Sequence, residues 1–264
     1  MPLELTDIGA NLTDRSFSRD LDEVLHQARA AGTTRMLVTG TSLAESRAAL
    51  ALCREHGPGL WCTAGVHPHH AKDWDSNDYQ QLTALTEDPL VVAVGETGLD
   101  YNRNFSPPAQ QRFAFEQQLA LAAETGLPLF LHERDAAGDQ LRLLEHWRER
   151  ISGGVIHCFT GDGETLRRYL ALDLYVGITG WICDERRGLH LRQLVTSIPP
   201  QRLLVETDCP YLVPRTLRPR PRRNEPKYLT HINEQVAALL RVSPEQLAQQ
   251  TSRNAATLLG LPPL

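Results

Sequence analysis

Apolar and polar positions alternate between two patterns along the whole chain. Short apolar runs rich in β-branched residues, such as Val91–Val94, are typical of strands buried on both faces. Longer stretches repeat apolar residues every three or four positions, as at Leu21, Val24, Leu25 and Ala28, which is typical of amphipathic helices. The short runs predict eight strands, at Leu3–Ile8, Arg35–Gly40, Leu60–Val66, Val91–Tyr101, Pro128–Leu131, Gly154–Ile156, Leu174–Ile178 and Arg202–Val205.

A helical stretch follows each predicted strand. The stretches include the stripe that ends near Gly32, a helix capped by Ser42, and a segment from Glu185 to Ile198. The others lie at Tyr79–Thr86, after Pro107-Pro108, at Gln140–Glu149 and Glu164–Ala171, and in two segments after Pro226. This alternation predicts an α/β fold, a (β/α)₈ TIM barrel. An open doubly wound sheet is the alternative, but it normally has fewer strands, and no G-x-G-x-x-G follows the first strand.

Length and composition agree with one barrel. The chain has 264 residues with 41% hydrophobic content, enough for a single barrel domain over residues 1–264. Its formal net charge of -5 gives no global basic field for nucleic acid. The five cysteines include no C-x-x-C pair, which indicates free thiols in a reducing compartment. No apolar stretch suits a secretory signal or a membrane span, so we expect a cytoplasmic protein that does not bind membranes.

Polar residues stand where the predicted strands end, and a barrel brings those ends together around its active site. These residues are Asp7, Thr39, His67, Glu96, His132, His157, Thr179 and Asp208. A single histidine at a strand end is more often a hydrogen-bonded structural group. Four of these residues together, however, form a ligand set for Zn²⁺, Mn²⁺ or, less ideally, Mg²⁺: Glu96, His132, His157 and Asp208.

A bound cation would lower the pKa of its water, and a neighbouring carboxylate would take the proton. Asp208 at the last strand end is the candidate base; the alternative is a plain metal ligand or a helix cap. The only lysines, Lys72 and Lys227, lie away from the strand ends. This argues against Schiff-base chemistry and against a carbamylated lysine between two metals. Glu96 therefore stands where a bridging anion would be needed.

Six motifs identify a family when taken in order. They are Gly65-Val-His-Pro-His69, Gly95-Glu-Thr-Gly-Leu-Asp100, Leu131-His-Glu-Arg-Asp135, His157-Cys-Phe-Thr-Gly161, Glu206-Thr-Asp-Cys-Pro210 and Arg223-Asn-Glu-Pro226. Together they resemble the TatD family of metal-dependent deoxyribonucleases, from Asp7 to the C-terminus. The resemblance implies a barrel of the amidohydrolase type and a 3′→5′ exonuclease acting on single-stranded DNA, or also on RNA, in DNA repair.

The resemblance also implies roles for individual residues. Glu96, His132 and His157 match the metal ligands, and Asp208 matches a ligand or a catalytic base. His67 matches a catalytic histidine that contacts the substrate near the scissile phosphate. Two further matches imply substrate-binding residues, Arg134 and Asn224. The resemblance also implies that Asp100, four residues after Glu96, lies near the metal or the substrate.

One stretch departs from the family pattern. Most members begin with Asp-x-His-x-His, whereas this chain has Asp7-Ile-Gly-Ala-Asn11. Gly9 supplies no ligand, and Asn11 offers only a neutral carbonyl oxygen. A site with fewer nitrogen ligands favours Mg²⁺ or Mn²⁺ over Zn²⁺, and it leaves open whether one or two ions bind.

A basic segment follows the last predicted strand. Pro214–Arg223 contains five arginines, which suit bidentate phosphate binding at the rim of the active site. Trp181 and Tyr211 are candidates for stacking on bases. The alternative for this loop is a solvated segment paired with surface acids. We expect the protein to be a monomer. Two rival functions remain, a small-molecule amidohydrolase and a non-catalytic binding barrel.

Overall fold

Eight parallel strands form one sheet in which each strand pairs with the next along the chain. The computed structural model describes residues 3–263. The strands are β1 (Leu5–Ala10), β2 (Thr33–Val38), β3 (Leu60–Ala64), β4 (Val91–Asp100), β5 (Leu129–Arg134), β6 (Gly154–Ile156), β7 (Tyr175–Ile178) and β8 (Leu203–Val205). The first and last strands meet through a bridge between Ala10 and Cys209, and the Asp208 amide donates to the Gly9 carbonyl at 2.8 Å. The predicted (β/α)₈ barrel is confirmed.

Helices alternate with these strands, as the apolar periodicity predicts. They are α1 (Leu21–Ala30), α2 (Leu43–His56), α3 (Ser76–Thr86), α4 (Pro108–Thr125), α5 (Ala137–Trp147), α6 (Gly163–Ala171), α7 (Leu189–Leu194), α8 (Leu229–Leu240) and α9 (Pro244–Leu259). The predicted Ser42 cap is confirmed, since its side chain accepts from the Glu45 amide at 3.2 Å. The predicted helix over 185–198 is too long, because only Leu189–Leu194 is α-helical and Val195–Ser197 tightens into a 3₁₀ turn.

Strand β4 continues well beyond its apolar run. All ten of its residues are buried, so Glu96 lies within the strand and not directly after it. Gly95 and Gly98 have φ angles of +149° and +136°, and a Cβ there would lie 2.3 Å from the Phe130 carbonyl oxygen and 2.0 Å from that of His132. These glycines therefore let β4 lie close against β5 while its side chains change from apolar to polar. His132 is likewise inside β5.

The core leaves one end of the barrel polar. Apolar side chains from the strands, including Ile8, Leu37 and Phe130, pack with Ala255 and Leu259 of α9. A larger apolar cluster, which includes residues of every one of the helices from α1 to α9, packs elsewhere around the strands. All five cysteines are free thiols. Within residues 3–263, none of the helices combines the length and apolar character needed to cross a membrane.

Candidate functional site

A cleft of about 1640 Å³ opens where the strands end. It brings together six of the residues singled out from the sequence: His67, Glu96, His132, Arg134, His157 and Asp208. Four arginines also line it, and only one of them had been predicted: Arg15, Arg103, Arg134 and Arg187. Three aromatic side chains complete the walls: Phe105, Trp181 and Tyr211.

One carboxylate oxygen lies at the centre of this cleft. Glu96 Oε1 is 3.0 Å from His132 Nδ1, 3.0 Å from His157 Nε2 and 3.3 Å from His67 Nε2. Glu96 comes from β4, His132 from β5, and His157 directly follows β6, so barrel closure assembles the group. Ligand atoms of His67, Glu96 and His132 all lie within 4.8 Å of one another. Imidazoles around a buried carboxylate are a donor set that fits a divalent metal ion.

The electrostatics of this group favour a bound positive charge. Burial alone would raise the pKa of Glu96, but the charges of His157 and His67 and the His132 hydrogen bond hold it well below its ordinary value. Burial alone would lower the pKa of the His157 imidazole, but Glu96 and Glu206 raise it well above the ordinary value. For His67, burial outweighs the Glu96 contact and lowers the pKa to about 4. A cation can replace the proton that the histidines share with Glu96.

Asp100 fixes the orientation of two imidazoles. It is buried at the end of β4, and its Oδ2 is 2.9 Å from His69 Nε2 and 3.3 Å from His132 Nε2. The His132 ring thus has a carboxylate at each nitrogen, Glu96 on one side and Asp100 on the other. Burial alone would raise the pKa of Asp100, but its bonds to His132 and His69 hold it well below the ordinary value. Carboxylates that hold a ligand imidazole in this way tune metal sites.

Glu206 orients the imidazole of His157 in the same way, and the sequence analysis did not identify Glu206 as a site residue. This fully buried carboxylate lies 3.2 Å from His157 Nδ1 and accepts from the Cys158 amide at 2.6 Å. A Cβ on Gly9 would be 2.3 Å from Glu206 Oε2, and a Cβ on Gly177 would be 2.3 Å from Oε1. The missing side chain at Gly9 therefore leaves room for Glu206. Its position directly after the apolar run of β8 was the signal that could have revealed it.

Asp208 lies at the floor of the cleft beside this cluster. Asn11 Nδ2 donates to Asp208 Oδ1 at 2.9 Å, so Asn11 acts as a hydrogen-bond donor to this carboxylate. Burial raises the pKa of Asp208 to about 7, against the charge of His157, which lowers it. Among the described residues, Asp208 is not part of the tight group formed by His67, Glu96 and His132.

Other residues predicted at the strand ends have different surroundings. Asp7 is fully buried and accepts from the amide and the hydroxyl of Thr207 at 2.9 and 2.5 Å. Thr39 lines the cleft, whereas Thr179 caps the 3₁₀ turn that begins at Gly180.

Asn224, which the sequence analysis predicts to bind substrate, lies outside the cleft in the structure. It is fully buried and is not among the residues that line the cleft. Its Nδ2 donates to the Thr207 carbonyl at 2.8 Å, and its Oδ1 accepts from the Glu225 amide at 3.0 Å. These bonds occupy the amide group and tie the loop after β8 to the strand end. Asn224 therefore positions this loop in place of the expected substrate contact.

The arginines of loop 214–223 correct a second prediction. None of them lines the cleft. Arg215 forms an ion pair with Glu185 at 3.0 Å, and Arg223 pairs with Glu225 at 3.0 Å and with Asp20. Two of the loop arginines instead line a smaller cavity of about 300 Å³ that shares Trp181, Arg187 and Leu212 with the cleft: Arg215 and Arg220.

Comparison with known proteins matches nearly the whole chain to one protein family. A family model described as TatD related DNase matches residues 6–260. A 3′-5′ ssDNA/RNA exonuclease TatD from Erwinia amylovora is 54% identical over 257 residues, covering 97% of this chain and 99% of that protein. The protein of the same name from Klebsiella pneumoniae is 53% identical, covering 97% of each chain. The crystal structure of a TatD homologue from Escherichia coli K12 superposes with a TM-score of 0.91 at 27% identity, covering 99% of this chain and all of that one.

Proposed function

The chain belongs to the family of TatD related DNases, and from this premise we propose that it is a divalent-metal-dependent 3′-5′ exonuclease on single-stranded DNA or RNA. The observation that carries the proposal is the Glu96 carboxylate, whose Oε1 lies within 3.3 Å of three imidazole nitrogens in an arginine-lined cleft. The reaction is hydrolysis of a phosphodiester, so the enzyme is a hydrolase. We also propose a role in DNA repair, which is what the resemblance of the sequence motifs implies.

We propose that Glu96, His132, His157 and Asp208 hold the metal, with His67 close enough to join them. A bound divalent cation supplies an acidified water and offsets negative charge on a phosphate oxygen. Mg²⁺ is the proposed ion, with Mn²⁺ or Zn²⁺ as alternatives and one or two ions bound, because Gly9 and Asn11 bring no imidazole from β1. Asp100 and Glu206 hold the ligand rings in place.

Asp208 and His67 are the proposed catalytic residues. In the metal-free protein, burial raises the pKa of Asp208 to about 7, so this carboxylate takes up a proton more readily than an exposed one, which suits a general base for the attacking water. His67, whose pKa is lowered to about 4, is uncharged near neutral pH and can hydrogen-bond the substrate near the scissile phosphate. Glu96 remains ionised because its pKa is well below the ordinary value.

The walls of the cleft suit a single polynucleotide strand. Arg134 and the three other arginines that line it can bind phosphates, and the aromatic side chains offer faces for unpaired bases. We propose that the chain acts as a monomer of one domain in the cytoplasm. The eight strands form one sheet, and the free cysteines fit a reducing compartment. Residues 1, 2 and 264 of the predicted domain lie outside the described part of the chain.

The test is release of nucleotides from a 3′-labelled single-stranded oligonucleotide with Mg²⁺, Mn²⁺ or Zn²⁺ and with EDTA. We expect metal-dependent release, and a loss of at least about 100-fold in Glu96→Gln, because the neutral amide neither attracts the cation nor balances the histidines. Glu116→Gln removes an exposed carboxylate of α4 and should match the parent. Nucleotide release at the same rate with and without EDTA, or a Glu96→Gln variant as active as the parent, would contradict the proposal. Metal-dependent hydrolysis of amides or lactones alone would favour the amidohydrolase alternative.

A further inference from the structure

Phe105 is an exposed aromatic side chain in the wall of the cleft. It is 51% exposed in the segment between β4 and α4, although burying an aromatic ring is favourable. Its ring centroid lies 4.7 Å from that of His69 at an interplanar angle of 76°, and the Arg103 guanidinium carbon is 5.9 Å from its centroid. His69 in turn contacts Asp100, which holds the His132 ring. Phe105 is thus linked through His69 and Asp100 to the proposed metal site.

The segment that carries Phe105 is tied to the site at both ends. Asp100 Oδ1 accepts from the Arg103 amide at 2.8 Å, two residues before Phe105. Directly after it, the buried Ser106 donates its hydroxyl to the His69 carbonyl at 3.0 Å. The same aspartate and histidine that lie beside the proposed metal site therefore anchor the segment that carries the ring. A pre-positioned ring binds a partner with less loss of conformational entropy than a flexible one.

The barrel places Phe105 opposite the other two aromatic side chains of the cleft. Strands follow one another in order around the sheet, so β4 and β8 lie on opposite sides. Trp181 and Tyr211 belong to the segments after β7 and β8, and the smaller cavity continues beyond Trp181 on that side. Four arginines line this cavity: Arg186, Arg187, Arg215 and Arg220. Asp184 also lines it. The body of a polyanionic strand therefore fits the β7–β8 side, and its end fits the β4 side.

We propose that Phe105 is the stacking platform for the base of the 3′-terminal nucleotide, an assignment that rests on the proposed exonuclease function. Every base has a π-face, so stacking holds the terminal nucleotide without selecting its sequence and serves DNA and RNA alike. With the terminal base on Phe105 and the rest of the strand toward Trp181, the last phosphodiester lies over the histidine cluster. Phe105 thereby helps to set which bond is cut.

The experiment compares three single-stranded oligonucleotides: intact, abasic at the 3′-terminal nucleotide, and abasic at the next one. The parent should lose about 5- to 100-fold in kcat/KM on the terminally abasic strand, as expected for one lost base stack. Phe105→Ala should lose a similar factor on the intact strand and nothing further when the terminal base is missing, because both changes remove the same contact. Phe105→Tyr keeps the ring and should restore the parent pattern.

Phe113 provides the matched control. It is 56% exposed on α4 and does not line the cleft, so Phe113→Ala should behave as the parent on all three strands. The platform is refuted if Phe105→Ala cleaves the intact strand like the parent, or if it responds to the terminal abasic site as strongly as the parent does. An effect confined to the penultimate abasic site also refutes the assignment. If the parent releases nothing with metal present, the exonuclease function itself fails, which is a different result.

Discussion

At the scale of single residues, three carboxylates share the task of holding the histidines. Glu96 contacts all three imidazoles, while the second nitrogen of His132 faces Asp100 and that of His157 faces Glu206. Each of these rings is thereby fixed from two sides before any metal binds. Changes near Asp100 or Glu206 should therefore alter metal affinity even though neither residue touches Glu96.

Gly9→Ala tests this at the position where the chain departs from the family pattern. The new Cβ would lie 2.3 Å from Glu206 Oε2 and 3.3 Å from Phe130 Cζ. We expect a loss of about 1–3 kcal/mol in the free energy of unfolding because the site is overpacked. Displacing Glu206 from His157 should also weaken metal binding by about 10-fold. Urea unfolding and a metal titration measure the two effects.

Gly138→Ala is the control for that substitution. Gly138 lies within α5, and a Cβ there meets nothing within 4 Å. Alanine in a helix should leave stability unchanged or raise it by up to about 1 kcal/mol, with metal affinity as in the parent. If Gly9→Ala behaves like Gly138→Ala, Glu206 does not need the space that Gly9 leaves.

The sequence predicted the position of Glu96, His132 and His157 but not that of Glu206. The first three each stand shortly after an apolar run, and the barrel rule collects such residues at one end. Glu206 also follows such a run, but its side chain lies between Gly9 of β1 and Gly177 of β7. The local pattern places Glu206 at a strand end, but its contact with His157 depends on two glycines far away in the sequence, which the local pattern does not show.

At the scale of elements, apolar patterning located the strands, although the apolar run of β4 covers less than half of its length. The apolar run stops at Val94, whereas the strand continues to Asp100, because Glu96 and Asp100 face the polar cleft and glycines occupy positions 95 and 98. Hydrophobic periodicity reports burial among apolar groups and cannot recognise a strand segment that contributes buried polar side chains to a cleft. The loop arginines were misplaced for a related reason, since the acids that pair with Arg215 and Arg223 come from other segments.

The loop after β8 provides a test at this scale. We expect Asn224→Ala to lower the free energy of unfolding by about 1–3 kcal/mol, because it leaves the Thr207 carbonyl and the Glu225 amide without their partner. KM for an oligonucleotide should remain that of the parent, since Asn224 is buried away from the cleft. Thermal unfolding and steady-state kinetics measure the two quantities.

Asn77→Ala, at an exposed position in the first turn of α3, should change neither stability nor kinetics appreciably. A KM raised tenfold in Asn224→Ala without loss of stability would restore the substrate-binding interpretation.

At the scale of the whole molecule, charge limits how the protein meets a polyanion. The net charge is -5, and the positive charge in the cleft comes from four arginines. Three more arginines line the smaller cavity beside the cleft. Each phosphate neutralised on a single strand contributes about −0.7 to the slope of log K against log salt, so we expect a slope no steeper than about −5 for these seven arginines together. Binding to Glu96→Gln, which should not cleave, measures it.

Arg134→Ala should reduce that slope by about 0.7, and Arg222→Ala, an exposed loop arginine outside the cleft, should leave it unchanged. A slope near −10 would mean that a far larger basic surface contacts the strand.

Metal binding should also depend on pH in a direction that the histidines set. Burial alone would lower the pKa of His157 and of His132. Contacts with Glu96 and other carboxylates outweigh burial and raise both pKa values above the ordinary 6.5. Their charged forms therefore stabilise the metal-free protein fully below about pH 6.5, and this stabilisation is lost as the pH rises through the raised values. His67, with a pKa of about 4, stays neutral throughout.

A metal ion takes neutral imidazole and must displace those protons. The increase in Tm caused by Mg²⁺ or Mn²⁺ should therefore grow from pH 6 to pH 9, and calorimetry in buffers of different ionisation enthalpy should detect proton release on binding. Glu96→Gln removes a proposed metal ligand and one of the carboxylates that raise both pKa values, so the gain in Tm should be small at every pH. A metal-induced gain in the parent that falls as the pH rises would show that the ion does not bind at these histidines.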